Sequence, residues 1–241
     1  HPLLFFDSID STNIRAKLEA EQGAESGLLV VADQQTAGRG RRGRGWESPS
    51  GSNIYYTLML KPDFNADCAP MLTLVMALAV AKGIRQTLGR GSEEGAAKVG
   101  IKWPNDIVVD GKKVCGILTE MSMEQAYIHH IVIGVGINVR RQEFSEEIRE
   151  RAAAIDEQCG FCISRSQLIA DIMEAFEEDY EIFLQTHDLK GLRDSYAKLL
   201  VNRDREVCVL DPKGEFRGTA RGGRCAARAA SSPRARTSSP L

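Results

Sequence analysis

The pattern of apolar and polar residues predicts strands and helices that alternate in the first third of the chain. Residues 5–10 predict a short strand that runs into a helix, because good N-cap residues stand at the junction. The apolar run at 28–32 and the aromatic and apolar run at 53–60 each predict a buried strand. Residues 69–88 predict a long buried helix.

The pattern becomes strongly β between residues 99 and 139. Four strands are predicted there, at residues 99–103, 107–109, 114–121 and 127–139. Asp110 and Gly111 form a typical hairpin turn sequence between the second and the third of these strands.

Helical periodicity returns in the last third of the main domain. Three helices are predicted, at residues 146–155, 165–184 and 189–200, and Ser164 is a suitable N-cap residue for the middle one. Because these helices are segregated from a largely antiparallel sheet, the predicted fold class is α+β, with a mixed sheet flanked by helices.

The composition changes again near Asn202. Residues 207–210 and 215–220 predict a hairpin that begins a small β module. Residues 222–241 carry no acidic residue and almost no apolar material, which favours disorder, either as a basic interaction tail or as a truncated or frame-shifted end. We therefore divide the chain into a main domain at 1–201, a partial module at 202–222 and a disordered or aberrant tail at 223–241.

The composition is that of an ordinary globular protein. The chain has 241 residues, of which 43% are hydrophobic and 27% are charged. Its net charge of -2 gives no overall attraction to nucleic acid or to an anionic membrane. The most apolar stretch, at residues 69–81, is too short to span a bilayer, and no signal peptide is visible after His1. These features predict a cytoplasmic protein.

The cysteines do not predict a metal site. Cys159 and Cys162 have the C-x-x-C spacing of a redox or zinc site, but a zinc site needs a second pair or nearby histidines, and none has suitable spacing. Ordinary reduced thiols are the alternative that we favour. His129 and His130 lie in a predicted strand and are expected to be structural.

The most unusual segment is the Gly/Arg-rich stretch at residues 38–46. Four arginines fall within six residues there, which suits neither a packed strand nor a core helix. Alternate glycines let the backbone turn its N–H groups inward to form a concavity for anions, and arginine side chains bind carboxylate or phosphate in bidentate fashion. Such a loop suits a small molecule with several negative charges or a nucleic acid backbone. The alternative is a solvated flexible loop.

A second polar segment is K-W-P-N-D at residues 102–106. Asn105 and Asp106 stand at the start of a strand, where a core needs no polar pair. The following hairpin places Lys112 and Lys113 at the head of the next strand, and because side chains alternate along a strand, only one of them can point into a site. Lysines beside a hairpin turn are normally exposed, so this segment alone does not decide between the two roles.

Two glycines interrupt the last predicted strand, in G-V-G-I-N at residues 134–138. Glycine inside a strand usually means that another backbone or a ligand comes close. No G-x-G-x-x-G sequence opens a helix here and no Walker A sequence is present, which argues against a dinucleotide fold and a P-loop enzyme.

Together these segments resemble the biotin protein ligase family. Its motifs are matched in order and spacing by residues 10–13, 35–46, 102–106, 111–117 and 134–138. The resemblance covers residues 5–220, and its G-R-G-R-x-G-R-x-W and K-W-P-N-D motifs are specific in combination. It implies a class II synthetase-like catalytic domain followed by an SH3-like β module, of which only the first two strands are recognisable.

The resemblance implies an ATP-dependent ligase. Such an enzyme joins biotin to the α-phosphate of ATP, releases pyrophosphate, and passes biotin to a lysine of the carrier domain of a biotin-dependent carboxylase. The substrates are then ATP and biotin, with Mg²⁺ accompanying ATP. Two unit charges about 4 Å apart repel by roughly 1 kcal/mol in water and about 4 kcal/mol in a partly buried site, so cations must bring carboxylate and phosphate together.

The resemblance also assigns roles to individual residues. The catalytic residues are expected to be Arg39, Lys113 and Asp106. Biotin is expected to contact Ser11, Thr12, Asn13, Gln35, Gly38, Arg39, Arg41, Lys113 and Gly116. The nucleotide is expected to contact Arg41, Arg44, Trp46, Asn105 and Asn138. No metal-ligating protein residue is assigned.

Some roles stay open at this point. Trp46 is expected to pack near the adenine once the loop closes, and a closed loop would protect the acyl-adenylate from water. Asn105 and Asp106 are expected to serve the phosphates, magnesium or the incoming lysine amine. No helix-turn-helix module is visible near His1, so a repressor function has no support in this sequence. A homodimer through a sheet edge is a further expectation from the family.

Three other functions are weighed against this one. A lipoate or octanoate ligase would carry a Gly-Gly-Gly stretch followed by a His-Asp pair, and the corresponding region has neither. A nucleic-acid-binding protein would interleave aromatic and basic residues, whereas the basic loop offers only Trp46. A catalytically impaired homologue is the third alternative, because the C-terminal module departs from the family.

Overall fold

The computed structural model describes residues 2–125, 127–159, 161–211 and 214–220. The strands in these ranges are β1 (Leu3–Ile9), β2 (Leu28–Gln35), β3 (Ile54–Leu60), β4 (Val99–Lys102), β5 (Asp106–Val109), β6 (Lys112–Glu124), β7 (Tyr127–Ile137), β8 (Glu206–Asp211) and β9 (Gly214–Thr219). The α-helices are α1 (Thr12–Glu21), α2 (Leu72–Gly89), α3 (Glu93–Ala97), α4 (Arg165–Thr186) and α5 (Arg193–Leu199).

A seven-stranded sheet forms the centre of the molecule, in the order β1-β2-β3-β7-β6-β5-β4. Only the pair β1 and β2 is parallel, because α1 connects these two strands, and all other pairs are antiparallel. The predicted α+β class with a mixed, largely antiparallel sheet is confirmed. The strands β8 and β9 pair separately as a two-stranded sheet.

The main hydrophobic core lies between one face of the large sheet and the helices α2 and α4. Apolar residues surround α2 on nearly every side, so most of this helix is buried. Gly83 of α2 lets α4 approach closely, since a Cβ there would collide with Ile172. The continuous helical stretch Ala66–Gly89 is long and apolar enough to cross a membrane, although 67% of its apolar window is buried inside the molecule. It is therefore longer than the apolar run that the sequence suggested, and it packs as the central core helix.

The opposite face of the sheet is covered by α1 and by a smaller core. Ala16 and Ala20 of α1 pack there against Val30, Met59 and Val132 of the strands. Small alanine side chains let α1 lie close to the sheet. This arrangement places the N-terminal end of α1 beside the middle of β3 and β7, where the candidate site is found.

The predicted helix at residues 146–155 is wrong. The chain forms turns at residues 146–151, and the backbone of Lys113 pairs with it at residues 151–153: its N–H donates to Arg151 O at 2.7 Å and its O accepts from Ala153 N at 3.0 Å. This pairing along the start of β6 extends the chain where helical periodicity would have continued. Local periodicity was overridden by tertiary pairing.

Two other helices differ from the prediction. The helix predicted at 189–200 is limited to Arg193–Leu199, preceded by turns. The short helix α3 was not predicted, although Ser92 caps it by accepting a hydrogen bond from Gly95 N at 3.3 Å. The helix α4 and its N-cap Ser164 agree with the prediction.

The C-terminal hairpin agrees with the start of a predicted small β module. Its strands pair from Glu206 opposite Thr219 to Asp211 opposite Gly214, and the turn residues 212–213 lie outside the described residues. The predicted tail at 223–241 also lies outside them. The division of the chain into domains at residues 201 and 222 stays a prediction.

Candidate functional site

Three glycines form a trough in the sheet, on the face that α1 covers. Gly116 of β6 pairs with Gly136 of β7, and Gly134 lies two residues earlier on β7, so all three face the same way. A Cβ at Gly134 would collide with Asn13, and a Cβ at Gly116 or Gly136 would collide with Trp46. The glycine trough therefore exists because side chains from other elements lie directly on the strand backbones.

The N-terminus of α1 closes one end of the glycine trough. Ser11, Thr12 and Asn13 are all buried there. The Thr12 N–H donates to Gln35 Oε1 at 2.9 Å, and the Thr12 hydroxyl lies 3.1 Å from the same oxygen. Gln35 Nε2 donates to the Ser48 hydroxyl at 3.0 Å, so both ends of the glutamine amide are fixed.

A buried polar network lies behind Thr12. The Thr57 hydroxyl is 2.8 Å from the Thr12 hydroxyl and 2.7 Å from Asn13 Oδ1. Asn13 Nδ2 donates to Glu120 Oε2 at 2.9 Å, and the other oxygen of Glu120 forms a 2.8 Å salt bridge with Lys17. Burial raises the pKa of Glu120, but the hydrogen bonds from Asn13 and Lys17 and the nearby positive charges outweigh it, and the pKa lies below its ordinary value.

The Gly/Arg-rich loop is folded back on itself. Gly40 N donates to Arg44 O at 2.7 Å, and Trp46 N donates to Gly38 O at 2.9 Å. The turn between them uses left-handed backbone at Arg42 (φ 59°) and Gly43 (φ 73°). This closure directs Trp46 towards the sheet.

Trp46 and Lys113 meet over the glycine trough. The Lys113 ammonium lies 5.2 Å from the centroid of the Trp46 ring, and it forms a 2.7 Å salt bridge with Asp106. The neighbouring Lys112 is exposed, so the two lysines point in different directions, as the strand alternation predicted. The Trp46 indole N–H is buried without a hydrogen-bond partner among the described residues.

The loop is tied to the K-W-P-N-D segment by one hydrogen bond. Arg41 Nη1 donates to Asn105 Oδ1 at 2.7 Å. Asn105 is held in turn by two bonds to Ile117, with its side-chain Nδ2 donating to Ile117 O at 2.9 Å and its own O accepting from Ile117 N at 2.9 Å. Asn105 therefore connects the loop to β6 and orders both.

Most of the predicted site residues are brought together in this region. Those at the glycine trough or in contact with its lining are Ser11, Thr12, Asn13, Gln35, Gly38, Arg41, Trp46, Asn105, Asp106, Lys113 and Gly116. Arg39 and Arg44 are exposed on the loop. The positive charge of Arg39 nevertheless contributes to lowering the pKa of Glu120.

Asn138 lies near the trough, but its side chain binds the backbone of the protein itself. Its Nδ2 donates to Ala153 O at 3.3 Å, and its backbone binds Val114 and Ile155. It thus holds residues 153–155 against the end of β7. Its expected contact with the nucleotide stays a prediction.

Sequence reasoning missed Thr57, Ser48, Glu120 and Lys17. Thr57 gave a usable signal, because it is a fully buried hydroxyl within the otherwise apolar and aromatic strand β3. Glu120 and Lys17 gave none, since they lie 103 residues apart and meet only in the folded sheet.

The cysteines and acidic residues are not arranged as a metal centre in the part of the chain that is described. No group of three His, Cys, Asp or Glu side chains there is close enough to hold a metal ion. Burial raises the pKa of the Cys159 thiol, which donates instead to Phe161 O at 3.3 Å. Gly160, between the two cysteines of the C-x-x-C motif, lies outside the described residues.

A family model described as the biotin/lipoate A/B protein ligase family matches residues 5–138. The bifunctional ligase/repressor BirA of Bacillus subtilis is 39% identical over 225 residues, which cover 91% of this chain and 66% of that protein. The biotin–[acetyl-CoA-carboxylase] ligase of Paracoccus denitrificans is 32% identical over 190 residues, which cover 78% of this chain and 76% of that protein.

Solved structures agree with the sequence relatives. The biotin protein ligase of Aquifex aeolicus in complex with biotin and ATP superposes with a TM-score of 0.75 at 29% identity, covering 90% of this chain and 86% of that one. This chain spans just under two thirds of the length of the Bacillus relative. The matched residues contain the α1 N-terminus, the Gly/Arg-rich loop and the glycine trough, and this chain belongs to the biotin/lipoate A/B protein ligase family.

Proposed function

We propose that this chain is an ATP-dependent biotin protein ligase. It would form biotinyl-adenylate and pyrophosphate from biotin and ATP, and then transfer biotin to a lysine of a biotin carboxyl carrier domain. The observation that carries the proposal is the line of three strand glycines, which has a polar amide and hydroxyl cluster at one end and cations at the other. Thr12 and Gln35 mark the first end, and Lys113 and Arg41 mark the second.

The two ends suit the two ends of biotin. A ureido ring needs both hydrogen-bond donors and acceptors, which Thr12, Gln35 and the neighbouring Ser11 can supply. The apolar part of the molecule would lie on the backbone of Gly116 and Gly136 once the Trp46 side chain that covers them has moved aside. The carboxylate would then reach the cationic end.

The cationic end suits adenylate formation. A carboxylate oxygen of biotin would attack the α-phosphorus of ATP, and the bond to the bridging oxygen would break as pyrophosphate leaves with the electron pair. Lys113 would draw the two negative groups together against a repulsion of about 4 kcal/mol in a partly buried site. Asp106 would hold Lys113 in place, and Arg41 would supply a second cation once released from Asn105.

Transfer completes the reaction at the same end of the trough. The lysine amine of the carrier would attack the acyl carbonyl of biotinyl-adenylate, and AMP would leave with the electron pair of the broken anhydride bond. The attacking amine must lose a proton, and Asp106, which pairs with Lys113 at 2.7 Å, is a carboxylate at this end that could accept it. Arg39 and Arg44, exposed on the loop, would neutralise phosphate charge when the loop closes over ATP.

Magnesium fits this site as an ion that arrives with ATP. Such magnesium usually binds the phosphates, several waters and one or two carboxylates, and it neutralises phosphate charge. Asp106 offers one such carboxylate at the cationic end, and it would have to share its oxygens between the metal and Lys113. A protein-only magnesium cage is not expected.

The loop position gives Trp46 a second role. Its indole covers Gly116 and Gly136, so ligand entry requires this side chain to move, and its unpaired buried N–H makes that movement inexpensive. After adenylate formation the closed loop would exclude water from the acyl-phosphate bond.

The acceptor would be a carrier domain in the cytoplasm. The chain would form a homodimer through an edge strand such as β1.

The proposal is tested by direct detection of the intermediate. The full chain is incubated with biotin, ATP and Mg²⁺, quenched, and analysed for biotinyl-adenylate by mass spectrometry, with lipoate in parallel. A carrier domain is then added and its mass measured. Biotinyl-adenylate without the lipoyl product, followed by a mass increase of the carrier by one biotin, supports the proposal. Lipoyl-adenylate as the main product would contradict it.

A further inference from the structure

A chain of hydrogen bonds behind α1 has a direction that begins at Glu120. A carboxylate only accepts hydrogen bonds, and so does the backbone oxygen of Leu118. Asn13 Nδ2 lies 2.9 Å from Glu120 Oε2 and 3.4 Å from Leu118 O. Both acceptors require the NH₂ group on that side, so the Asn13 amide has one orientation and its oxygen faces the other way.

The oxygen of Asn13 fixes the hydroxyl of Thr57. Asn13 Oδ1 cannot donate, so the single hydroxyl hydrogen of Thr57, 2.7 Å away, must point to it. Gly134 is what allows this contact, since a Cβ at that position would collide with Asn13 Oδ1. The same hydroxyl also donates to the Thr12 hydroxyl oxygen, 2.8 Å away, so its hydrogen is shared between Asn13 and Thr12.

Thr57 in turn fixes the hydroxyl of Thr12. Thr57 is fully buried and donates to the Thr12 hydroxyl oxygen, 2.8 Å away. The hydrogen of the Thr12 hydroxyl then points away from Thr57 and is donated to Gln35 Oε1 at 3.1 Å, whose second lone pair receives the Thr12 N–H. With its hydrogen on Gln35 and one lone pair occupied by Thr57, the Thr12 hydroxyl keeps one lone pair for the trough.

We propose that Glu120, Asn13 and Thr57 act as positioning residues that hold the Thr12 hydroxyl as a hydrogen-bond acceptor for a ureido N–H of the ligand. This inference rests on the proposed function, because it assumes that the ureido ring binds at the α1 end of the trough. None of the three needs to touch the ligand. Their effect is to remove the rotational freedom of one hydroxyl before binding, so that the correct head group finds an acceptor already aimed.

The negative charge of Glu120, where this chain of hydrogen bonds begins, is stabilised by its neighbours. Lys17 binds the second oxygen of Glu120 at 2.8 Å, which keeps the carboxylate ionised and accepting. The side chain of Glu120 is about a quarter exposed (24%), so the network begins at the surface and ends in the trough. An acidic residue at this position on β6 is thus connected to the head-group end through three hydrogen bonds.

The first test removes the Thr57 hydroxyl without changing its shape. Binding of biotin alone, in the absence of ATP, is measured by titration calorimetry for the full chain and for Thr57→Val, Thr57→Ser and Thr87→Val. We expect Thr57→Val to bind biotin about tenfold more weakly, the loss of one well-formed hydrogen bond. Thr57→Ser should restore binding to within about twofold, because it keeps the hydroxyl.

Thr87→Val is the matched control. Thr87 is equally buried, in α2 within the main core, and its hydroxyl has no hydrogen-bond partner among the described residues. The same isosteric change there should leave biotin affinity unchanged. In pyrophosphate exchange, Thr57→Val should raise KM for biotin and leave KM for ATP unchanged, a split that general loosening of the fold would not give.

A second pair of variants tests the other end of the chain. Glu120→Ala frees the Asn13 amide to rotate and should weaken biotin binding by about fivefold, a smaller effect because water can reach this edge of the network. Glu120→Gln keeps an acceptor for Asn13 and should bind within about twofold of the unmodified chain. If Thr57→Val does not fold, these two variants test the positioning role on their own.

The outcomes separate the two proposals. If the unmodified chain does not bind biotin, the proposed function fails. If it binds biotin and folded Thr57→Val binds equally well, the positioning inference is overturned while the function stands. Equal losses in Thr57→Val and Thr87→Val, or unchanged binding in Glu120→Ala, would overturn the inference in the same way.

Discussion

Adding a single methyl group to the floor of the glycine trough should impair the enzyme without unfolding it. A Cβ at Gly136 would lie 2.5 Å from the Trp46 indole nitrogen and 2.6 Å from its Cε2. Non-bonded heavy atoms need about 3.5 Å, so in Gly136→Ala the ring must move by roughly 1 Å. The methyl group would also occupy space that the ligand needs.

The expected effect on stability is small. Trp46 is carried by a surface loop, so its displacement costs little, and alanine is favoured over glycine within a strand by about 0.5–1 kcal/mol. The unfolding midpoint should therefore stay within a few degrees of that of the unmodified chain. The effect on chemistry should be large, because a misplacement of about 1 Å at a reacting centre can cost on the order of 100-fold in rate.

The assay is kcat/KM for biotin in pyrophosphate exchange, measured beside a thermal melt. Gly218→Ala serves as a matched control, since a Cβ at this strand glycine meets nothing within 4 Å. Trp46→Phe combined with Gly136→Ala should recover part of the loss relative to the sum of the single changes, because the smaller ring relieves the collision. Unimpaired kcat/KM in a well-folded Gly136→Ala protein would refute the placement of the ligand on this floor.

Three further predictions follow from the same structure. Lys113→Ala should reduce adenylate formation about 100-fold while Lys112→Ala leaves it nearly unchanged, in single-turnover assays, because only Lys113 faces the trough. Hydrogen bonds, the largest effect coming from Ser50, hold the pKa of Asp33 below its ordinary value. Asp33→Asn should therefore lower the free energy of unfolding by about 1 kcal/mol at neutral pH, and in urea melts this difference should disappear as the pH falls below about 4 and through the folded pKa, where both proteins are neutral at this site. Cys159→Ser should retain full exchange activity, and a loss would show that this thiol has a role beyond its contact in the loop.

Much of the site was predictable because its signals are local in sequence. Gly134 and Gly136 are anomalous inside a strand, and Asn105 and Asp106 are anomalous at the start of one, so each motif indicated a close approach or a polar requirement. Strand alternation predicted only that Lys112 and Lys113 point in opposite directions. Lys113 lies on the side of Gly116 because the pairing of β5 with β6 shifts register between Ile107 and Val108, which the sequence did not indicate. These motifs do not reveal which distant residue each of them contacts in the folded protein.

The unpredicted features depend on pairing between distant segments. Glu120 reaches Asn13 only because the middle of β6 lies under α1, a placement that requires the whole strand order. The helix predicted at residues 146–155 is replaced by turns that end where the backbone of Lys113 pairs with residues 151–153. The local sequence indicates the secondary-structure propensity of each segment, but pairing within the sheet determines which of these structures forms.

The central claim is that this chain activates biotin with ATP in the glycine trough. Its most direct test is exchange of labelled pyrophosphate into ATP by the full chain with Mg²⁺, with biotin, lipoate or no acid present. Exchange that requires biotin, is not supported by lipoate, and falls about 100-fold in Lys113→Ala is the predicted result. Exchange that lipoate supports as well as biotin does, or that survives Lys113→Ala, would contradict the account.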